Sequence, residues 1–257
     1  MRTFISAKRH NGPLIALIFV LLVASHLFAT GFDQDGAKTS DDIVFVRPTR
    51  RPADALPKGP SAVPPAAEQV APLTLEVVTR HAPLRGPQRS VRHSVSRTHD
   101  RIHLALPGQR EWLLLRNPVD PRRVSGMFVD HAARTIVVHE ESDLRSRLGL
   151  NGWADALLLG LDPVVVPRLQ AAAQTRAITG VRFKKQVVAD GPAELSDVWW
   201  NAEFVLPGAF TVKGANGSTR VSIERIVRGV NESRLRLPSS RFPSYKVVDL
   251  ADWLEVG

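Results

Sequence analysis

The chain has 257 residues, 44% hydrophobic and 23% charged, which is the composition of a globular protein rather than a disordered one. It has no cysteine, so disulfide staples, thiolate catalysis, cysteine-type zinc sites, iron–sulfur clusters and a lipid-modified N-terminal cysteine are excluded. Lys+Arg number 34 against 25 Asp+Glu, a formal net charge of +9.

The N-terminus carries an export signal. Met1–Gly12 holds Arg2, Lys8 and Arg9 and no acid, and Leu14–Ala24 (LIALIFVLLVA) is an unbroken apolar run. A positive flank before an apolar run is the charge order of an exported chain. The run itself suits a signal peptide, and counting on to Phe32 gives length enough to span a bilayer. Cleaved signal peptide and retained single-pass anchor therefore both stand for residues 1–32. Either way the rest of the chain lies outside the cytoplasm, on the periplasmic side if the cell is bacterial. Residues 33–73 hold Pro48, Pro52, Pro57, Pro60, Pro64, Pro65 and Pro72, the composition of a semi-rigid spacer. Within it only Ile43–Val46 is β-rich, a candidate docking segment.

Strand signals then follow in series. Leu75–Thr79 is a first strand candidate, Ser90–Arg97 and Arg101–Leu106 alternate at close to period two, and Pro107-Gly108 is a turn. Glu111–Arg116 is a strongly apolar strand, and Gly126–Asp130 with Thr135–His139 reads as a hairpin. The period then changes. Ser142 is placed to cap a helix over Asp143–Leu148 that Gly149 ends, Asn151 to cap Gly152–Leu161, and Asp162-Pro163 to open a third helical stretch through Val164–Ala173. Strands resume over Thr175–Val188, Asp197–Asn201, Phe204–Leu206 and Ala209–Lys213. Asn216-Gly217 is the strongest hairpin signal, followed by Ser218–Val227 with a phase slip at Arg225-Ile226, and Tyr245–Leu250 closes the series. Short turns between successive strands exclude parallel pairing. The expected fold is α+β: residues 74–257 form a curved antiparallel sheet, an unclosed barrel covered by short helices, with a helical insert at about 142–173. A closed barrel fits the same pattern.

Charge is uneven. Thr74–Arg123 holds ten arginines against four acids, a net of +6, while the remainder is close to neutral. Arg92, Arg97 and Arg101 are read as part of a basic surface able to meet anionic headgroups, polysaccharide phosphates or an acidic protein face. Aromatic residues hardly interleave with these arginines and the chain is exported, so nucleic acid is not expected as a partner.

Asp197–Asn201 (DVWWN), Leu206-Pro207, the Asn-Gly turn, Arg220–Ile226 and Leu237-Pro238 together resemble the W…LP…G…I…LP run of outer-membrane lipoprotein-sorting-like proteins. That superfamily includes the periplasmic lipoprotein carrier, its outer-membrane receptor and an anti-sigma-factor regulator. The resemblance implies an unclosed antiparallel β-barrel covered by helices around an apolar cavity, a bacterial envelope location, and no catalytic residues to carry over. The chain departs from the carriers in its long linker, and it lacks the cysteine of a lipidated receptor.

Searches for chemistry are sparse in result. His99 and His103 stand four apart, but on a strand that spacing spans about 13 Å, too far for one metal ion. No phosphate loop, nucleophile elbow or H-E-x-x-H motif occurs. A non-enzymatic role without cofactor or metal is expected. Trp199 and Trp200 are adjacent and so face opposite sides of a strand. With Trp153, Leu157, Phe183, Phe204 and Phe210 they are the candidate lining of a cavity for an acyl chain or other apolar ligand. Two functions follow: an exported, membrane-tethered or free binding domain for a lipid-like or lipoprotein ligand in the bacterial envelope, or an envelope scaffold that docks a protein partner through its arginine-rich region.

Overall fold

A computed structural model describes residues 70–188 and 194–255. The export segment, the spacer through residue 69 and the Ile43–Val46 run lie outside the described residues. Six strands come first: β1 (Leu73–Pro83), β2 (Arg89–Arg97), β3 (Arg101–Leu106), β4 (Arg110–Arg116), β5 (Val124–Asp130) and β6 (Thr135–His139). Two helices follow, α1 (Glu141–Leu148) and α2 (Trp153–Leu157). Then come β7 (Leu169–Ile178), β8 (Val181–Val188), β9 (Leu195–Asn201), β10 (Leu206–Gly214) and β11 (Gly217–Arg228), and finally α3 (Pro238–Arg241), β12 (Lys246–Asp249) and α4 (Leu250–Glu255). Among the described residues no helix is long and apolar enough to cross a membrane.

All twelve strands form one sheet, in the order β12-β6-β5-β4-β3-β2-β1-β11-β10-β9-β8-β7. It consists of two meanders joined where β1 pairs antiparallel with β11. Only β12 against β6 is parallel, reached by the long connection from β11 rather than by a tight turn. The sheet bends. The Ile226 N–H of β11 donates to the Thr179 hydroxyl in the β7–β8 turn, although three strands separate β7 from β11 in the order. It does not close, since β7 and β12 remain its two ends.

Alternation decides the two faces. On the inner face Leu73, Leu75, Val77, Val95, Ile102, Leu104, Trp112 and Leu114 join one continuous core with Leu144 of α1, Trp153 and Ala156 of α2, and Leu158, Leu159 and Leu161 beyond it. The middle of β4 is apolar at every position because both faces are covered. Trp112 and Leu114 meet the helices, while Glu111 and Leu113 lie beneath the C-terminal segment that crosses the other face. Gly126 lets α1 settle on the sheet, since a Cβ there would stand 3.0 Å from Leu114 and 3.3 Å from Leu144. Fully burying a leucine in such a core stabilises by roughly 2 kcal/mol.

Several boundaries differ from the sequence reading. The α1 cap is Glu140, not Ser142: Glu140 and Asp143 form a reciprocal capping box, and Gly149 ends the helix in the left-handed conformation. The third helical stretch reduces to a 3₁₀ turn at Val166–Arg168, and Leu169 already belongs to a strand. Helix-favouring alanines are overridden there by pairing with β8. The Asn216-Gly217 turn falls one residue early. Gly217 is the first residue of β11, at φ 136°, where a Cβ would stand 2.2 Å from the Ala82 carbonyl. Phe204 lies in a turn before β10 rather than in a strand. The phase slip of β11 is a bulge that leaves Glu224 without a partner in β1.

Candidate functional site

The arginines of β1–β4 do not form an open basic patch. Arg97 is fully buried, which corrects its assignment to the surface. It follows Val95 on the inner face, in register with Leu73. Its Nη1 donates to the carbonyls of Leu157 (3.0 Å) and Val205 (3.3 Å), and its Nη2 to that of Phe204. One guanidinium thus ties the end of α2 to the β9–β10 turn. Burial lowers its pKa to about 10. The signal was available in the spacing, because Val91, His93, Val95 and Arg97 share parity. Arg92 is exposed as expected, and it shares Glu224 with Arg80. Arg101 is half-exposed, lies 3.5 Å from Asp100, and donates to the Leu235 carbonyl at 2.8 Å. Arg110 pairs with Asp130 and Arg123 with Glu141.

The face opposite the helices carries a second buried network. Arg241 of α3 engages both carboxylate oxygens of Glu111, and the His103 ring lies 2.7 Å from Glu111 Oε2. His131 Nε2 stands 3.8 Å from the same carboxylate, and its Nδ1 is 3.0 Å from the Tyr245 hydroxyl. Burial alone would raise the Glu111 pKa, but hydrogen bonds from His103 and Arg241 outweigh it and hold the carboxylate below its ordinary range. This network clamps the C-terminal segment to the sheet. His103 and Glu111 are both buried, so neither is placed to meet a substrate. His99, four residues before His103, sits instead beside Asp100 at 3.7 Å. No group of three or more His, Asp or Glu side chains able to hold a metal ion occurs among the described residues.

The residues read as a cavity lining divide into two sets. Trp153, Leu157, Phe183, Phe204 and Phe210 are between 0% and 7% exposed. Apart from Leu157, a buried residue of α2, they belong to the continuous inner core. Phe183 is packed so closely that a Cβ on Gly208 would come within 2.5 Å of its ring. Trp199 and Trp200 are different, being only half-buried. Their cross-strand neighbours on β8 are Lys185 and Lys184. The Arg176 guanidinium of β7 lies 4.6 Å from the Trp199 ring centroid. The Trp199 indole N–H donates to Asp197 Oδ1 at 3.0 Å, and Arg220 holds the other carboxylate oxygen of Asp197. Burial works to raise the Asp197 pKa, but the hydrogen bonds from Arg220 and Trp199 dominate and hold it low. Aromatic faces next to cations, with their apolar bodies half-covered, present greasy and positive surface together, Trp199 with Lys185 and Arg176 on one side of β9 and Trp200 with Lys184 on the other.

That place was not singled out by segment charge. From Leu169 to Val188 the cations are Arg176, Arg182, Lys184 and Lys185, and there is no acid. Among the described residues Arg182 and Lys184 have no ion-pair partner, and both are exposed. The near-neutral sum over the C-terminal half hides this local excess.

No family model matches the sequence, and no curated protein matches it. Among solved structures the chain is similar to PNGF-II, at 12% identity over 72% of this chain with a TM-score of 0.35. It spans 33% of the length of that structure. It is also similar to a DUF1329 family protein from Desulfovibrio piger, at 9% identity and TM-score 0.35, over 68% of this chain and 93% of that one. A third similarity is to an outer membrane lipoprotein-sorting protein domain from Vibrio parahaemolyticus, at 7% identity and TM-score 0.33, over 66% and 92%. All three likenesses are loose and say nothing of chemistry.

Proposed function

We propose that this chain is an exported, non-enzymatic binding domain of the bacterial cell envelope whose ligand is an anionic amphiphile, lipid-like or the acyl part of a lipoprotein. The observation that carries the reading is the half-buried pair Trp199 and Trp200 set opposite Lys185 and Lys184, with Arg176 over the Trp199 ring. An acyl chain would lie along one indole, Trp199 beside Lys185 and Arg176 on one face of β9 or Trp200 beside Lys184 on the other, and an acidic head would meet the cations of that face. Export is supported by the basic flank and apolar run at residues 1–24. The alternative, docking through the arginine-rich region, is weakened because those arginines are engaged within the fold.

The test is a titration of a fluorescent fatty acid, repeated with dodecyl maltoside as an uncharged competitor. The acid binds and is displaced by unlabelled dodecanoate far better than by the maltoside. Trp200→Ala lowers affinity more than it lowers the melting temperature, and Lys184→Glu with Lys185→Glu weakens the anionic probe about tenfold. Binding unchanged in the Trp199→Ala, Trp200→Ala double variant would sink the reading. Parallel loss of binding and melting temperature would mark Trp200 as a plain core residue.

A further inference from the structure

The two ends of the sheet are built differently. β12 has four residues, begins at Lys246, ends at Asp249 and runs straight into α4. β7 has ten residues; no strand pairs on its far side, and only its end, at Ile178–Thr179, comes against Ile226 of β11. Gln170, Ala171, Ala173, Gln174, Thr175 and Ala177 on it are exposed. β7 holds no proline and no lysine, and its single charge, Arg176, is turned onto Trp199. Of the devices that guard natural edges, only the bulge between Ala171 and Thr175 is present. Beyond the bulge the pairing is regular from Thr175 to Ile178, and there the neighbouring strand supplies charge. Lys184 lies opposite Thr175, and Arg182 opposite Ala177. Two residues apart on β8, these cations share one face. The small side chains of β7 leave both long enough to reach a strand laid along its outer side.

Charge selects among the occupants. A second copy added edge to edge would bring Arg182 and Lys184 towards their own counterparts, with no acid from Leu169 to Val188 to offset them. An acidic strand is the complement. We propose that the free edge of β7 takes an extended segment of a partner protein as an added strand, with acidic residues at alternate positions opposite Thr175 and Ala177. Backbone hydrogen bonds to β7 supply the affinity, and Arg182 and Lys184 supply the choice of partner. This surface shares Lys184 with the amphiphile site, but Arg182 belongs to it alone, and Trp199 and Trp200 take no part in it.

The test uses the full chain and a fluorescent, end-capped peptide, Thr-Glu-Val-Glu-Val-Thr, with two controls: the same peptide with lysine for glutamate, and the glutamate peptide N-methylated at alternate residues. Expected are saturable binding of the glutamate peptide, slowed amide exchange over residues 175–178, and about fivefold weaker binding in Arg182→Gln. The Arg182 side chain is exposed, so this variant folds, and because Arg182 has no part in the amphiphile site its unchanged fatty-acid affinity checks that site separately. Equal binding of the N-methylated peptide would reduce the surface to a charge patch and overturn the proposal, as would equal binding of the lysine peptide or none of the glutamate peptide. Concentration-dependent dimerisation that protects residues 175–178 without peptide would assign the edge to a second copy instead.

Discussion

The β1–β4 region and the β7–β8 hairpin are both basic, and they use their charge in opposite ways. In β1–β4 the arginines turn inward or find partners: Arg97 serves three carbonyls, Arg80 and Arg92 share Glu224, and Arg110 meets Asp130. In the hairpin Arg182 and Lys184 stand in solvent beside a free strand edge. The region with the larger charge count is therefore structural, and the region with the smaller one is available for recognition. A guanidinium carries five donors on a long arm, so it satisfies backbone carbonyls across a gap as readily as it meets a ligand. Counting arginines does not say which.

Replacing Arg97 tests that contrast hardest. Arg97→Ala leaves the Leu157, Phe204 and Val205 carbonyls unsatisfied around a new cavity and should lower stability by about 3–4 kcal/mol in urea unfolding. A change within about 0.5 kcal/mol would return Arg97 to the class of surface charges. Glu111→Gln comes next. It removes the carboxylate that Arg241 and His103 hold, and a cost of about 2–3 kcal/mol is expected, with faster amide exchange over residues 230–249. Exchange unchanged there would mean that the C-terminal segment is held by its apolar contacts alone.

His93 offers a pH test of the same inner face. It lies opposite Val77, and burial pushes its pKa down to about 4 from the ordinary 6.5. The unfolded chain therefore binds the proton more readily, and stability falls as pH drops from 6.5 towards 4. The full effect is about 2 kcal/mol after allowing for the partial exposure of the ring. His93→Leu should flatten that part of the melting-temperature profile, and an unchanged slope would place the titration elsewhere. The smallest effect is expected at Arg92. Its pair with Glu224 is exposed and screened, so Arg92→Ala should shift stability by less than about 0.5 kcal/mol at moderate salt.

Much of the fold was legible because sheet order here follows chain order. Arg101–Leu106, from its alternation, and Thr135–His139, from its hairpin pattern, occupy the strands read for them. The same periodicity points Arg97 to the buried side, but its residue type argued for the surface and there it was assigned. The tail of the helical insert misled, because alanine-rich Leu169–Ala173 has helix propensity and only β8 alongside it enforces a strand. Of the site, the aromatic pair was visible at Trp199 and Trp200. The cations that accompany it were not, because cross-strand partners are set by register and not by segment sums.

Composition and periodicity were enough to establish a cysteine-free chain carrying a meander of half-buried strands, because those properties depend on each residue's own polarity and on its immediate neighbours. Packing in three dimensions assigned each charge its task. Whether an arginine closes a gap, pairs with a glutamate or waits at an open edge depends on which distant backbone arrives next to it, and that is settled by how the two meanders join and bend.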